Sequence, residues 1–335
     1  MRRTILYFLF LPVLITSCFK EIDTVVQYKT TEEIFTSQRD IYKNVTFFKI
    51  YENTTQEVLN KPLGGWDLAF QSAKSGDIVL VNYTVSAKAI KTGRFDFSAV
   101  NKSTVNELFN SDEWKFNDPA YSNIKDSVAL KDWENKEVYL VNRGSSSVPE
   151  EAYYKIQFIS KTPETYTFRY AHVESTEVIE KTINRTSSLA NVYFSFKENE
   201  VVEHEPNINE WEFYFAPYFG WFETLTAGEY SPYNVTGAMI NNEGGVRVAQ
   251  VFDGGIDYKD IDLTMAQSLT YSDWKGGIGS TWKKIPSINN PVYLMDTDKK
   301  YVIKLKDGNY YKLRFLDYYL NGKQGYPSFE MLLIN

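Results

Sequence analysis

Val302-Ile303-Lys304-Leu305-Lys306-Asp307-Gly308-Asn309-Tyr310-Tyr311-Lys312-Leu313-Arg314-Phe315 is the stretch that decides the fold. Polar and apolar residues alternate on both sides of Asp307-Gly308. An Asp-Gly pair between two alternating runs is a strong short-range signal for an antiparallel hairpin. The alternation carries on through residue 319 and meets a second turn pair, Asn321-Gly322, which predicts a further hairpin. With 25 tyrosines and 22 phenylalanines, the chain is rich in the residues that favour half-buried pleated surfaces. Helix signals are sparse, the best being Ser103–Phe109, with Ser103 as a cap, and Ile261–Leu269. The expected architecture is all-β and antiparallel.

Working outward, the same text occurs twice. Tyr310-Tyr311-Lys312-Leu313-Arg314-Phe315 matches Tyr153-Tyr154-Lys155-Ile156-Gln157-Phe158, and each is followed by a turn and another aromatic strand. Upstream, Asn44-Val45-Thr46-Phe47-Phe48 leads to Trp66-Asp67-Leu68-Ala69-Phe70. In the same way Asn191-Val192-Tyr193-Phe194-Ser195 leads to Trp211-Glu212-Phe213-Tyr214-Phe215. Elements recurring in one order imply tandem duplication. The unit is far longer than a solenoid repeat, so the expectation is two homologous β-rich domains, at residues 41–175 and 176–335, with one or two short helices each. The join is expected in the polar stretch from Val173 to Ile183. Residues 18–40 are read as a tether and first strand.

The N-terminus carries a different signal. Arg2 and Arg3 precede an apolar run from Ile5 to Ile15, and then Ile15-Thr16-Ser17-Cys18. That run is shorter than the roughly 20 residues a membrane-spanning helix needs, so residues 1–17 read as an export signal. Small residues before a cysteine match a lipobox, making Cys18 the lipidated first residue of the mature protein. It is the single cysteine, so no intramolecular disulfide or cysteine nucleophile is available. Acyl chains contribute ~0.8 kcal/mol per buried methylene, enough for durable attachment, and the lipid is the expected membrane contact. Loss of Arg2 and Arg3 lowers the basic count from 36 to 34 against 43 acidic residues. An acidic body repels phosphate backbones, and nucleic acid is not an expected partner.

The segments Trp66–Phe70, Asn241–Gly245, Tyr311-Lys312-Leu313-Arg314-Phe315 and Gly325-Tyr326-Pro327-Ser328-Phe329 give the chain a family resemblance. It resembles the HmuY family, haem-binding lipoproteins of Bacteroidetes, over most of the second unit and the ends of the first. The resemblance implies an all-β body that takes one haem between two loops and passes it to an outer-membrane receptor. Some members use two histidines as axial ligands and others two methionines. His172 and His204 fall at a strand end and a turn, and read as exposed structural residues. Met239 and Met265 lie in the middle of the second unit, and the resemblance makes them the candidate axial pair. The ordinary alternative is that each fills a core gap. The first unit has no methionine after Met1 and no histidine between Trp66 and Tyr154, so it is a divergent copy without the family's usual ligands.

The dense aromatic run Tyr214–Tyr233 offers Tyr218, Phe219 and Trp221 as stacking surfaces for a porphyrin or a sugar ring, or as strand packing between sheets. Gly276-Gly277-Ile278-Gly279 reads as a flexible connection before Trp282. No catalytic constellation is present and an enzyme is not expected. The expectation is therefore an outer-membrane lipoprotein, on the cell-surface or periplasmic face, that captures haem or a related tetrapyrrole for a TonB-dependent receptor. A surface lipoprotein that binds glycan, peptide or a receptor without haem is the alternative.

Overall fold

In the computed structural model every strand pairing is antiparallel, and two short helices accompany the sheets. The structure describes residues 34–51, 54–72, 78–119, 128–223, 226, 228–251, 255–286 and 292–335. Residues 1–17, read as a leader, and Cys18 lie outside the described residues.

The strands in chain order begin β1 (Ile34–Thr36), β2 (Asn44–Tyr51), β3 (Thr54–Pro62), β4 (Leu68–Gln71), β5 (Val79–Val81), β6 (Lys88–Lys91) and β7 (Lys115–Phe116). They continue through β8 (Tyr139–Asn142), β9 (Tyr153–Lys161), β10 (Thr165–His172), β11 (Ile179–Asn184), β12 (Asn191–Ser195) and β13 (Glu200–Val202). The remainder are β14 (Phe213–Glu223), β15 (Tyr230–Ile240), β16 (Arg247–Val251), β17 (Lys283–Lys284), β18 (Leu294–Met295), β19 (Lys300–Lys304), β20 (Tyr310–Leu320) and β21 (Lys323–Leu333). Helix α1 is Lys102–Leu108 and α2 is Leu263–Ser268. The sequence places both helices within two residues. The cap of α1 is Asn101 rather than Ser103: its side chain accepts from Ser103 N, and Thr104 returns a bond to Asn101 N.

Of the two expected hairpin turns, Asn321-Gly322 forms as read. Leu320 pairs with Lys323, and both turn residues have positive φ, 51° and 77°, as a tight two-residue turn requires. The other turn is one residue longer. Leu305 N donates to Asn309 O at 2.9 Å, leaving Lys306, Asp307 and Gly308 in the loop, with Gly308 at φ 95°. Asp307 also accepts from Asn309 N, a local bond that draws the third residue into the turn.

Among the described residues four sheets of four to six strands stack with three apolar layers between them, and β17 and β18 form a separate two-stranded sheet. β11-β10-β9-β8-β6-β7 faces β13-β12-β4-β5 across Leu68, Phe70, Val192, Phe194, Phe158 and Phe168. β15-β14-β2-β3 faces β1-β21-β20-β19-β16 across Phe48, Phe213, Phe215, Trp282, Phe315 and Phe329. The two inner sheets meet across the opposite faces of the same strands: Phe47, Ala69, Leu80, Tyr193, Tyr214 and Met239. The period of two in a strand sends Phe48 to one layer and Phe47 to the next. Strands covered on both faces need no polar face, which is why Phe213-Tyr214-Phe215-Ala216 is apolar throughout.

The duplication is visible bond by bond, but the copies are interlocked. Glu212 N donates to Phe48 O, and Asp67 N donates to Phe194 O, each at 2.8 Å. Ile50 N binds the Glu212 carboxylate as Phe196 N binds that of Asp67. Asn241 Nδ2 reaches Ile208 O and Trp211 O as Asn82 Nδ2 reaches Leu63 O and Trp66 O. In the first two sets the partner comes from the other copy, whereas the asparagine bonds stay within one copy. β4 pairs with β12, and β14 pairs with β2. The expected division at 175/176 does not match the sheets. β11, in the expected linker, pairs with β10, while β1 pairs with β21. The spatial units are β4–β13, one continuous run, and β1–β3 together with β14–β21.

Candidate functional site

Strands β14 and β15 form an eleven-residue ladder from Phe213↔Ile240 to Glu223↔Tyr230. Its base is buried in the inner sheet and its end leaves the core. Beside that end, residues 274–281 are strapped to β15. Ala238 and Gly279 exchange N–H···O bonds of 2.9 and 3.0 Å, Ile240 N donates to Lys275 O, and Trp282 Nε1 donates to Gly279 O. The glycines permit this approach. A Cβ on Gly237 would lie 2.5 Å from Gly279 O, and Gly279 itself has φ 66°. The Gly276–Gly279 segment is thus a pinned wall rather than the flexible connection expected.

Between wall and hairpin lies a cleft of about 270 Å³, whose aromatic lining comes from Tyr218, Trp221, Phe222 and Trp274. Phe222 and Trp274 are 37% and 45% exposed. Asp118, from the continuous unit, also lines it, so both units contribute to the cleft. Tyr218 is buried and its hydroxyl bonds to the Ser280 side chain; burial pushes its phenol above the ordinary value.

The three expected stacking aromatics separate by function. Trp221 and Tyr218 line the cleft. Phe219 points the other way and stacks on Phe116 of β7, ring centroids 4.1 Å apart and 15° from parallel, which ties the two units together. The strand period puts Phe219 on the face opposite Tyr218.

The expected methionine pair is not assembled. Met239 is fully buried in the layer between the inner sheets, and its sulfur accepts from Tyr214 Oη at 3.1 Å. Met265 sits on α2 against the separate cluster of Val251, Tyr258 and Ile261. Its backbone N–H is capped by Asp262. Neither lines the cleft.

His172 is half-buried at the end of β10, its ring against Tyr154, close to its expected place. His204 is not the exposed turn residue expected. It is 3% exposed, enclosed by Trp66, Tyr193 and Phe47, and burial holds its imidazole neutral down to about pH 3. Next to it Glu205 accepts from Asn191 N and Tyr193 Oη, and burial pushes its carboxyl up to about 7. Sequence reading missed this polar knot because part of its cover, Phe47 and Trp66, comes from the first copy of the repeat.

The model of the HmuY protein family matches residues 187–331. That region begins just before β12 and ends in β21, so it follows the sequence repeat and contains the cleft's aromatic wall. Two solved structures also align. Apo PinO from Porphyromonas gingivitis is 16% identical over 43% of this chain and 90% of its own, with a TM-score of 0.21. A Bacteroides vulgatus protein described as HmuY-like and haem-binding is 14% identical over 92% of this chain and 95% of its own, with a TM-score of 0.22. No curated protein matches the chain significantly.

Proposed function

We propose that this chain is an outer-membrane lipoprotein that captures haem, or a related tetrapyrrole, and delivers it to an outer-membrane receptor. The observation that carries the reading is the HmuY-family match over residues 187–331, which includes the hairpin and wall of the aromatic cleft. Flat rings bind well against Trp221 and Trp274 because aromatic faces bury area with few rotors. The cleft is smaller than a whole porphyrin, so one edge of the ring enters and the exposed rings of Phe222 and Trp274 cover part of the rest. With Met239 and Met265 apart, ring stacking replaces their pairing as the source of affinity. The lipid on Cys18 would hold this body at the membrane.

Haem titrated into the soluble body from residue 24 onward tests the reading. A saturable Soret shift is expected, weakened at least about tenfold in a Trp221→Ala, Trp274→Ala variant, the loss corresponding to one good ring contact or more. No Soret shift in the parent protein would sink the haem function. An equal shift in parent and variant would move the site away from the cleft. The exposed rings of Phe222, Tyr230, Tyr233 and Trp274 favour a second reading, glycan recognition at the same hairpin. It gains if haem fails and oligosaccharide quenches Trp274 fluorescence.

A further inference from the structure

The two copies of the repeat place a tryptophan in the same spot and cover it differently. In the second copy Trp282 stacks on Phe315, centroids 4.0 Å apart. It is roofed by Tyr318, by Tyr293 beyond it, and by the buried Lys283 ammonium 4.3 Å above its ring. In the first copy Trp133 packs on Phe158, centroids 4.5 Å apart, and Phe158 is the repeat equivalent of Phe315. Three residues beyond Phe315 comes Tyr318, whereas three beyond Phe158 comes Lys161. The residue after Trp282 is Lys283, whereas that after Trp133 is Glu134. The roof is missing from the first copy, and a cavity of about 520 Å³ stands there.

Its walls are Trp133, Phe158, Ile159 and Pro163, and its rim is formed by Lys136, Lys161 and Arg185, with Glu134 the one carboxylate. Three cations around an apolar floor are unusual on a chain with net charge −7. Two of them are held together. Lys161 pairs across the β9–β10 ladder with Tyr166, and the Arg185 guanidinium lies 5.3 Å over the same Tyr166 ring. Partial burial, and then Arg185, hold the Lys161 ammonium below its ordinary value. A carboxylate seated between them meets two cations at once.

We propose that this cavity is a second binding site, in the first copy of the repeat, for a small amphipathic carboxylate. Its apolar body lies on Trp133, Phe158 and Pro163, and its carboxylate sits between Lys161 and Arg185. The site is independent of the haem reading, since it shares no lining residue with the cleft at Trp221.

The test is a fluorescence titration of the leaderless body with 1-pyrenebutyrate and, separately, its uncharged methyl ester. The acid should bind saturably and at least about tenfold more tightly than the ester, the scale of one charge-assisted contact, and should weaken as salt rises. A Lys161→Glu, Arg185→Glu variant should lose that preference. A Lys161→Met, Arg185→Met variant, which keeps the apolar bulk, should bind acid and ester alike. Trp221→Ala in the cleft should leave pyrenebutyrate binding unchanged. Equal affinity for acid and ester in the parent protein, or an undiminished preference in the methionine variant, would overturn the proposal.

Discussion

Met239 shows how one position on a strand settles a role. Its neighbours Ala238 and Ile240 face the outer layer, so Met239 must face the layer between the copies, where Tyr214 Oη donates to its sulfur. Met239→Ala should destabilise the protein by about 2–5 kcal/mol, the usual cost of truncating a core methionine. It should leave the Soret band of the haem complex unshifted; urea unfolding and absorbance read the two effects. A Met265→Ala change, on half-buried α2, should cost less and also spare the band. The buried Asp67–Arg143 pair gives a second contrast. Asp67 accepts from Arg143 Nε at 2.6 Å, and both side chains are at most 4% exposed. Asp67→Asn leaves a buried guanidinium uncompensated and should cost about 3–5 kcal/mol. The repeat-equivalent Glu212 faces Lys49, whose side chain is 25% exposed, so Glu212→Gln should cost about 1–2 kcal/mol.

Among the elements, the hairpins and helices were legible because they rest on local chemistry. Asn321-Gly322 needs only two residues tolerant of positive φ, and Asn101 needs only a short side chain before α1. The pinned wall at 274–281 was not legible, since its glycines look like slack until Gly237 is seen to face Gly279 O. Gly237→Ala should push that wall off β15, lowering the melting temperature and opening the Trp274 side of the cleft, which hydrogen exchange at Ala238 and Gly279 would report as faster exchange. The cleft itself could be half read. Trp221 and Tyr218 were named from aromatic density, but Trp274, 53 residues past Trp221, had no local pattern to mark it. The loop carrying His204 and Glu205 makes its own pH prediction. Glu205 has its carboxyl raised to about 7, so its contribution to stability falls as pH rises from the ordinary carboxylate range towards 7. His204, lowered to about 3, loses stability as pH falls below its ordinary 6.5. Between about pH 4.5 and 6.5 the two slopes oppose. Glu205→Gln removes one of them, so stability measured against the parent should rise by up to about 1.4 kcal/mol per pH unit across that window. A flat difference would mean that the Glu205 carboxyl titrates normally.

At the scale of the whole molecule, duplication was readable and the exchange of hairpins was not. Matching text reveals two copies, yet β2 fits β14 and β12 fits β4 through backbone bonds that both copies offer equally. Fragments test the exchange directly. Residues 64–208 hold β4–β13 and one complete pair of sheets, and should melt cooperatively on their own. Residues 176–335 contain the family region but lack β2, the partner of β14, and should stay unfolded by near-ultraviolet circular dichroism unless a peptide spanning 34–62 is added. The exchange also sets an order in time. β1–β3 are made before β14, yet the strand that receives β2 begins at Phe213, so this early segment docks late. Until then Phe47 and Phe48 travel uncovered, and the sequence separation of these contacts slows closure. A chain built this way leans on holding chaperones until that strand arrives, a dependence that a simple string of two self-contained domains would escape.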